Sequence, residues 1–308
     1  VAAWAQAPEL PWTKNPGQLG AKRAASLKEL LVHIDASRWN SFVDGEPLSV
    51  NEDESLYRIL YRMPAVSGYD WQRLSQPLDD ARWLLDAPVE KRGAGALLQG
   101  RVKRVERIAV LPEVARRLEF DHYFQVTVAP EGLNRPVLVC ARKVPEAFLK
   151  LEPLDEPVVL YGLFLKTSGP ASDEQAPLVF AADRVQWRPT APHPQFGITA
   201  DHVLLASHGF DANRLQDIAR LDTLPFTSFD TECFFQMLAA AGKCDSADLS
   251  SRAVPFDLAD VLQKPAENHG RLFHVSGRAR RVTKIVLSES DLKQRFGFDH
   301  YYQIDVMV

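Results

Sequence analysis

Histidine is the side chain best suited to act as a base or metal ligand near neutral pH. Two of the eight in this 308-residue sequence occupy matching frames, Asp121-His122-Tyr123 and Asp299-His300-Tyr301. As strand residues, His122 shares a face with Phe120, Phe124 and Val126, while Asp121, Tyr123 and Gln125 point the other way. An imidazole on an apolar face reads as a hydrogen-bonded core group, so His122 and His300 are assigned a structural role. Their recurrence fits that role, because a duplicated catalytic site commonly decays in one copy whereas a folding determinant cannot.

A second constellation is cationic. Arg101, Lys103, Arg104 and Arg107 lie on one strand, with Arg278, Arg280, Arg281 and Lys284 as counterparts. Single-stranded nucleic acid is bound by basic grooves with stacking aromatic rings, and Tyr123, Phe124, Tyr301 and Tyr302 are the rings at hand. The candidate ligand-binding residues are therefore Arg101, Lys103, Arg104, Tyr123, Arg278, Arg280, Arg281 and Tyr301. Against a phosphate site, residues 100–128 carry six Lys or Arg but also Glu106, Glu113, Glu119 and Asp121. A net of plus two is ordinary for a solvated strand face, and the formal charge of the whole chain, -4, gives no global attraction to polyanions.

No catalytic motif accompanies these residues. The sequence has no phosphate-cradling Gly loop, no His-Glu-x-x-His, no Gly-x-Ser-x-Gly elbow and no Cys and His cluster at metal spacing. Ser207-His208 and Asn51 to Glu54 read as a loop and a helix start. Cys140, Cys233 and Cys244 fit neither a disulfide framework nor a CxxC zinc site, and Cys140, in an apolar run, reads as a small core residue. The chain is read as a non-enzyme with no catalytic residue, cofactor or metal.

The elements that hold these residues come in duplicate. Gly100-Arg101-Val102-Lys103-Arg104-Val105 reappears as Gly277-Arg278-Ala279-Arg280-Arg281-Val282, and Phe120-Asp121-His122-Tyr123 as Phe298-Asp299-His300-Tyr301. Upstream, Asp35-Ala36-Ser37-Arg38 matches Asp211-Ala212-Asn213-Arg214, and Glu54 to Leu60 matches Glu232 to Leu238. Pro77, Asp79, Pro88 and Gly93 likewise match Pro255, Asp257, Pro265 and Gly270. Collinear matches at offsets of 176 to 178 describe a repeated structural unit far longer than a solenoid element.

Within a unit, short amphipathic helices are expected over Ser26 to Ile34, Glu52 to Tyr61 and Leu78 to Leu85, the last closed by Pro88. Strands follow at Leu97 to Val110, His122 to Val128, Pro136 to Ala141, Pro157 to Thr167 and Leu178 to Trp187. Leu111 to Leu118 reads as a loop or helical turn, and Pro145 to Pro153 holds a helix-sized insertion after the third strand. That is the order of an OB-like barrel, though another five- or six-stranded small barrel fits the same pattern.

The fold class is α+β, a tandem repeat of a short helical segment plus a five-stranded OB-like β-barrel, the second barrel incomplete. The boundaries are an N-terminal extension 1–25, a helical segment 26–92, barrel one 93–188, a proline-rich linker 189–198, a helical segment 199–269 and barrel two 270–308. Copy one runs about 60 residues beyond its Phe-Asp-His-Tyr block, whereas copy two reaches Val308 within a few. Half a barrel exposes strand edges, so the natural protein is expected to be longer. Val1-Ala2-Ala3-Trp4-Ala5-Gln6-Ala7 looks like the tail of a signal peptide, with an Ala-x-Ala pattern at Ala3 and Ala5; an arbitrary cut in an Ala-rich opening reads equally well.

Glu156-Pro157-Val158-Val159-Leu160-Tyr161-Gly162-Leu163-Phe164-Leu165-Lys166, Ala176-Pro177-Leu178-Val179 and Gly100 to Arg104 resemble a family of uncharacterised bacterial envelope proteins with repeated OB-like modules. Tyr161 and Leu163 depart from that family's more aromatic strand. The resemblance spans roughly 96–187 and the start of copy two. It implies an exported, periplasmic or membrane-associated protein and transfers no functional residue. The expected function is non-catalytic binding or scaffolding in the cell envelope. The partner would be an unknown protein or envelope component, and membrane association would come through a segment outside this sequence. The alternative is single-stranded nucleic-acid binding through basic OB-fold grooves.

Overall fold

The computed structural model describes residues 24–170, 172–219 and 228–308; the Val1 to Ala7 stretch read as a leader lies outside them. The chain divides into two units, one comprising Ala24–Thr190 and one containing Ala191–Val308.

In the first unit, helices α1 (Leu27–Leu30), α2 (Ala36–Asn40), α3 (Asp53–Arg62) and α4 (Gly68–Leu74) lead into strand β1 (Ser75–Pro77). Two short helices, α5 (Arg82–Leu85) and α6 (Pro88–Lys91), follow. The helix expected over Ser26 to Ile34 is cut to one turn, because His33 takes a left-handed φ of 72° and Asp35 restarts the chain as the N-cap of α2. Leu78 to Leu85 is helical only from Arg82, and Pro88 opens α6 at its first position instead of closing a helix. The α3 helix forms as expected: Ser49 and Glu52 make a reciprocal capping box in the preceding 3-10 turn, and Leu56, Ile59 and Leu60 are buried.

The barrel follows. Its strands are β2 (Gly95–Ala109), β3 (His122–Pro130), β4 (Val137–Lys143), β5 (Glu156–Thr167) and β6 (Leu178–Arg184), with helix α7 (Pro112–Leu118) between β2 and β3. The order is β2-β3-β4-β6-β5, and β2 closes the ring on β5 through pairs such as Leu98 with Leu160. All neighbours are antiparallel except β4 and β6. A register shift between Val102 and Arg104 bends the 15-residue β2 so that one strand serves two neighbours. A 3-10 turn, Glu146–Leu149, fills the helix position between β4 and β5. This closed five-stranded barrel is consistent with an OB-like fold. The fifth expected strand is broken at Val185, after which β7 (Gln186–Trp187) pairs with Val158 and Val159 of β5.

Both faces of the barrel wall are covered, which explains strands that are apolar almost throughout. Cys140, Leu163, Leu165, Val179 and Ala181 pack outward on a helical layer that includes Leu27, Trp39, Leu56, Tyr57 and Trp71. The alternate residues Val139, Phe164 and Phe180 face the other way, with the two Phe rings edge to face at 5.5 Å. One ion pair fastens the helical segment to β5, and a second sets a carboxylate that does so through a backbone amide. Lys166, fully buried, places Nζ 2.6 Å from Glu52 Oε1, and Glu52 also accepts from the amides of Val43 and Ser49. The buried Arg92 pairs with Asp44, whose other oxygen accepts from the Thr167 amide.

The second unit carries helices α8 (Ala200–Ser207), α9 (Arg214–Ala219), α10 (Ser228–Ala241), α11 (Ser246–Arg252), α12 (Leu258–Gln263), α13 (Pro265–Asn268) and α14 (Ser290–Phe296). Strands β8 (Val254–Pro255) and β9 (Phe273–His274) pair in parallel, and β10 (Arg278–Val286) pairs antiparallel with β11 (His300–Met307). Instead of a barrel, residues 270–308 form this ribbon, with α14 between its strands.

His202, which sequence inspection passed over, anchors α8. Its Nδ1 accepts from the Thr199 amide at 3.0 Å, and Nε2 donates to the His269 carbonyl at 2.6 Å. Only the neutral ring satisfies both bonds. Burial lowers its pKa below the usual histidine value, against weaker opposing effects of the His269 carbonyl and Asp201. Since the unfolded chain then binds a proton that the folded chain refuses, stability falls as pH drops through about 6.5. Thermal melting of the second unit should shift downward between pH 7.5 and pH 5.5, and His202→Gln should flatten that dependence; an unchanged slope would contradict it.

Candidate functional site

The strand cations of the first unit are already engaged. Arg101 Nε lies 2.8 Å and Lys103 Nζ 2.5 Å from Asp155 Oδ1, and Arg101 also donates to the Asp155 carbonyl. These bonds, Arg101's first, hold the Asp155 carboxyl down to about 2. Arg104 pairs with Glu106, and Arg107 reaches His122 Nδ1 at 3.0 Å and Asp121 at 3.9 Å. Four cations therefore face three nearby carboxylates. The exposed pairs contribute little to stability, but they leave scant field for a phosphate chain.

The aromatic partners expected for these cations are elsewhere. Tyr123 is buried, with its ring 6.0 Å from Tyr57, and Phe124 is buried as well, so neither offers a stacking surface. In the ladder Tyr123 opposes Ile108, whereas Arg101 opposes Ala129 at the far end of the ribbon. The same separation holds in the second unit, where Tyr301 opposes Ile285 and Arg278 opposes Met307. His122, the first residue of β3, is half-buried; its Nδ1 contacts Asp121 and its ring meets Phe124 edge-on at 5.1 Å. His300 repeats this arrangement, with Asp299 Oδ1 at 2.5 Å and the Tyr302 ring at 5.3 Å.

The cations of β10 differ. Arg278, Arg280, Arg281 and Lys284 have no carboxylate within ion-pair distance among the described residues; Arg280 approaches the Met307 sulfur and Arg281 donates to Thr283 Oγ1. The ribbon is also bare. Val282, Val286, Tyr302, Ile304 and Met307 are each about half exposed or more, where β3 in the first unit is largely buried.

A cleft of about 410 Å³ opens beside this ribbon, lined by Leu238, Gly242, Lys243, Arg295, Phe298 and His300 among others. Its floor belongs to a ring cluster. Phe235 lies 6.0 Å from Phe298 and 6.3 Å from Tyr301, as Tyr57 lies 6.4 Å from Phe120 and 6.0 Å from Tyr123. In the first unit the Phe120 ring is capped. Arg142 of β4 lays its guanidinium 4.2 Å over Phe120 and donates to the Leu60 carbonyl at 3.4 Å.

A carboxylate hub also recurs, and sequence inspection had only its spacing to go on. Glu54 receives Arg38, Arg58 and Arg117 at 3.2, 3.0 and 3.7 Å. Glu232 receives Arg214 at 3.8 Å, Gln236 at 2.7 Å and a two-pronged Arg295.

Neither buried thiol is poised for chemistry, since burial pushes Cys140 and Cys233 up to about 12. Among the described residues no cluster of three or more His, Cys, Asp or Glu could hold a metal, and no helix is long and apolar enough to cross a membrane. Comparison with protein-family models, with curated proteins and with solved structures gave no match.

Proposed function

We propose that this chain is a non-catalytic binding or scaffolding protein of the bacterial cell envelope, built from two copies of one helical-plus-OB-like module. The observation that carries this is the closed five-stranded barrel of β2 to β6, which is consistent with an OB-like fold, an architecture that serves to bind extended ligands on its surface.

Duplication is supported by the matching ring clusters, by the Glu54 and Glu232 hubs, and by a bulge at the same place in β2 and β10, between Val102 and Arg104 and between Ala279 and Arg281. Gly100 and Gly277 add a further match. A Cβ at either would strike the facing strand, at the Ala129 carbonyl in one case and the Met307 carbonyl in the other. Support for the envelope comes from the resemblance of Glu156 to Lys166 and Ala176 to Val179 to envelope proteins. Fractionation of cells expressing the natural gene should recover the protein with the envelope; recovery in the cytosol would contradict this location.

A second reading, single-stranded nucleic-acid binding, draws on the cations of β10: Arg278, Arg280 and Arg281, and Lys284, whose charge also acts on Asp299. Four phosphate contacts would give a salt slope near -0.7 per contact, so affinity for a labelled oligonucleotide would fall roughly fifty-fold between 50 and 200 mM salt. The binding-module reading expects no such saturable, salt-steep binding of single-stranded DNA or RNA.

A further inference from the structure

Three arginines from three elements of the first unit converge on one carboxylate. Arg38 of α2 places Nη1 3.2 Å from Glu54 Oε2, while Arg58 of α3 and Arg117 of α7 reach Oε1 at 3.0 and 3.7 Å. Among the described residues no other carboxylate stands within ion-pair distance of these guanidiniums; Asp35 is bonded instead to the Ser37 hydroxyl and the Arg38 amide. A net charge of two spread along a strand is ordinary, but here it is gathered at a point. The four side chains are 27 to 54% exposed, so a dissolved anion can reach them. Glu54 takes Arg58 Nε and Nη2, which leaves Arg58 Nη1, Arg38 Nη2 and Arg117 Nη1 as donors without a bond. The carboxylate holds the three forks together, so a ligand does not have to order them.

Copy two keeps the hub and loses the charge. There Glu232 and Asp211 face Arg214 and Arg295, two against two. Gln236 stands in the place of Arg58 and bonds Glu232 at 2.7 Å, and Ala240 and Gln294 stand in the places of Arg62 and Arg116. A glutamine therefore suffices to tie such a hub together, and folding does not require the added arginines of copy one. The geometry points to a binding site for a phosphate monoester on the fan of Arg38, Arg58 and Arg117. Guanidinium forks match phosphate oxygens in pairs, and forks from three elements suit the three terminal oxygens of a monoester, where a planar carboxylate offers two. This site rests on the binding-module reading and gives it a ligand class.

Isothermal titration of the full 308-residue chain with inorganic phosphate and with glycerol 3-phosphate should show saturable binding at one site. Arg58→Gln, the residue copy two uses there, should weaken it about tenfold with little change in melting temperature. Arg58→Lys, which restores the charge without the fork, should recover only part of the loss. Pelleting with phosphatidic acid vesicles reads the source of the phosphate. Vesicle binding that Arg58→Gln abolishes places it on a lipid headgroup, and titration without vesicle binding places it on a free ester; both keep the site. Equal titrations of Arg58→Gln and the unaltered chain, or no heat beyond that of sodium chloride at the same ionic strength, would overturn the inference. So would Arg58-dependent binding of a single-stranded oligonucleotide tighter than that of glycerol 3-phosphate, which would give the fan to nucleic acid. If phosphate fails while the protein fractionates with the envelope, only the site falls; if phosphate binds and the protein is cytosolic, the envelope location falls and the site stands.

Discussion

Lys166→Met should destabilise the first unit by about 3–5 kcal/mol, because it strands the Glu52 carboxylate in a site where it is 1% exposed. Methionine fills much the same volume, so the loss reports an uncompensated charge and not a cavity. Glu52→Gln combined with Lys166→Met should recover most of it, since an amide oxygen can still accept from Val43 or Ser49 and no charge remains. Four of the six tryptophans, Trp39, Trp71, Trp83 and Trp187, lie between residues 24 and 190, so urea unfolding followed by their fluorescence reports on this unit. Additive losses in the double variant would show that the pair is not a unit. The pH dependence has a definite sign. Burial opposes the Glu52 charge, but the bonds from Lys166 and the two amides outweigh it and leave the pKa lowered. The contribution is therefore complete above the ordinary carboxylate range, about 4.3, and is lost as pH falls through the depressed value.

Phe235→Ala should have the larger consequence for the second unit. Phe235 is fully buried and its ring meets Phe234, Phe296, Phe298 and Tyr301 within 6.3 Å. Removing a buried phenyl ring costs about 3–5 kcal/mol. Among the described residues the cluster it centres has Leu287 and Phe296 as its other buried members, so little is left to hold α10, α14 and the ribbon together. Amide exchange should show β10 and β11 losing protection while β2 and β3 keep theirs. Retained protection of residues 278–307 would contradict the role given to the ring cluster.

The strands were legible because each runs apolar for longer than a turn and is bounded by Pro, Gly or charged residues. The β2 and β3 ranges expected from sequence differ from those observed by at most two residues. The helical segment was harder to read. Residues 36–40 and 68–74 form helices whose stripes amount to little more than Trp39 and Trp71, too short a pattern for periodicity to register. Lys166 was read as one more residue of a strand, and nothing local says that its amine is buried; its partner lies 114 positions away. Tyr123 stands among the candidate binding residues as a ring beside the basic strand, and alternation turns it, with Asp121 and Gln125, away from Phe120, Phe124 and Val126. Both faces of β3 are covered, so alternation could not separate inside from outside. The cations of the two strands show the opposite limit: Arg101 and Lys103 are paired by Asp155 from another loop, which their own strand does not announce, whereas Arg104 pairs with Glu106 two positions on and Arg281 finds Thr283 at that spacing.

Nuclear Overhauser contacts across β10 and β11, measured on the full chain, test the duplicated module most directly. Contacts pairing Val282 with Ile304 and Ile285 with Tyr301, together with contacts from the Phe235 ring to Phe298 and Tyr301, would reproduce the pairing of Val105 with Val126 and Ile108 with Tyr123 and the ring cluster around Tyr57. A different register, or a Phe235 ring away from these partners, would contradict the duplication.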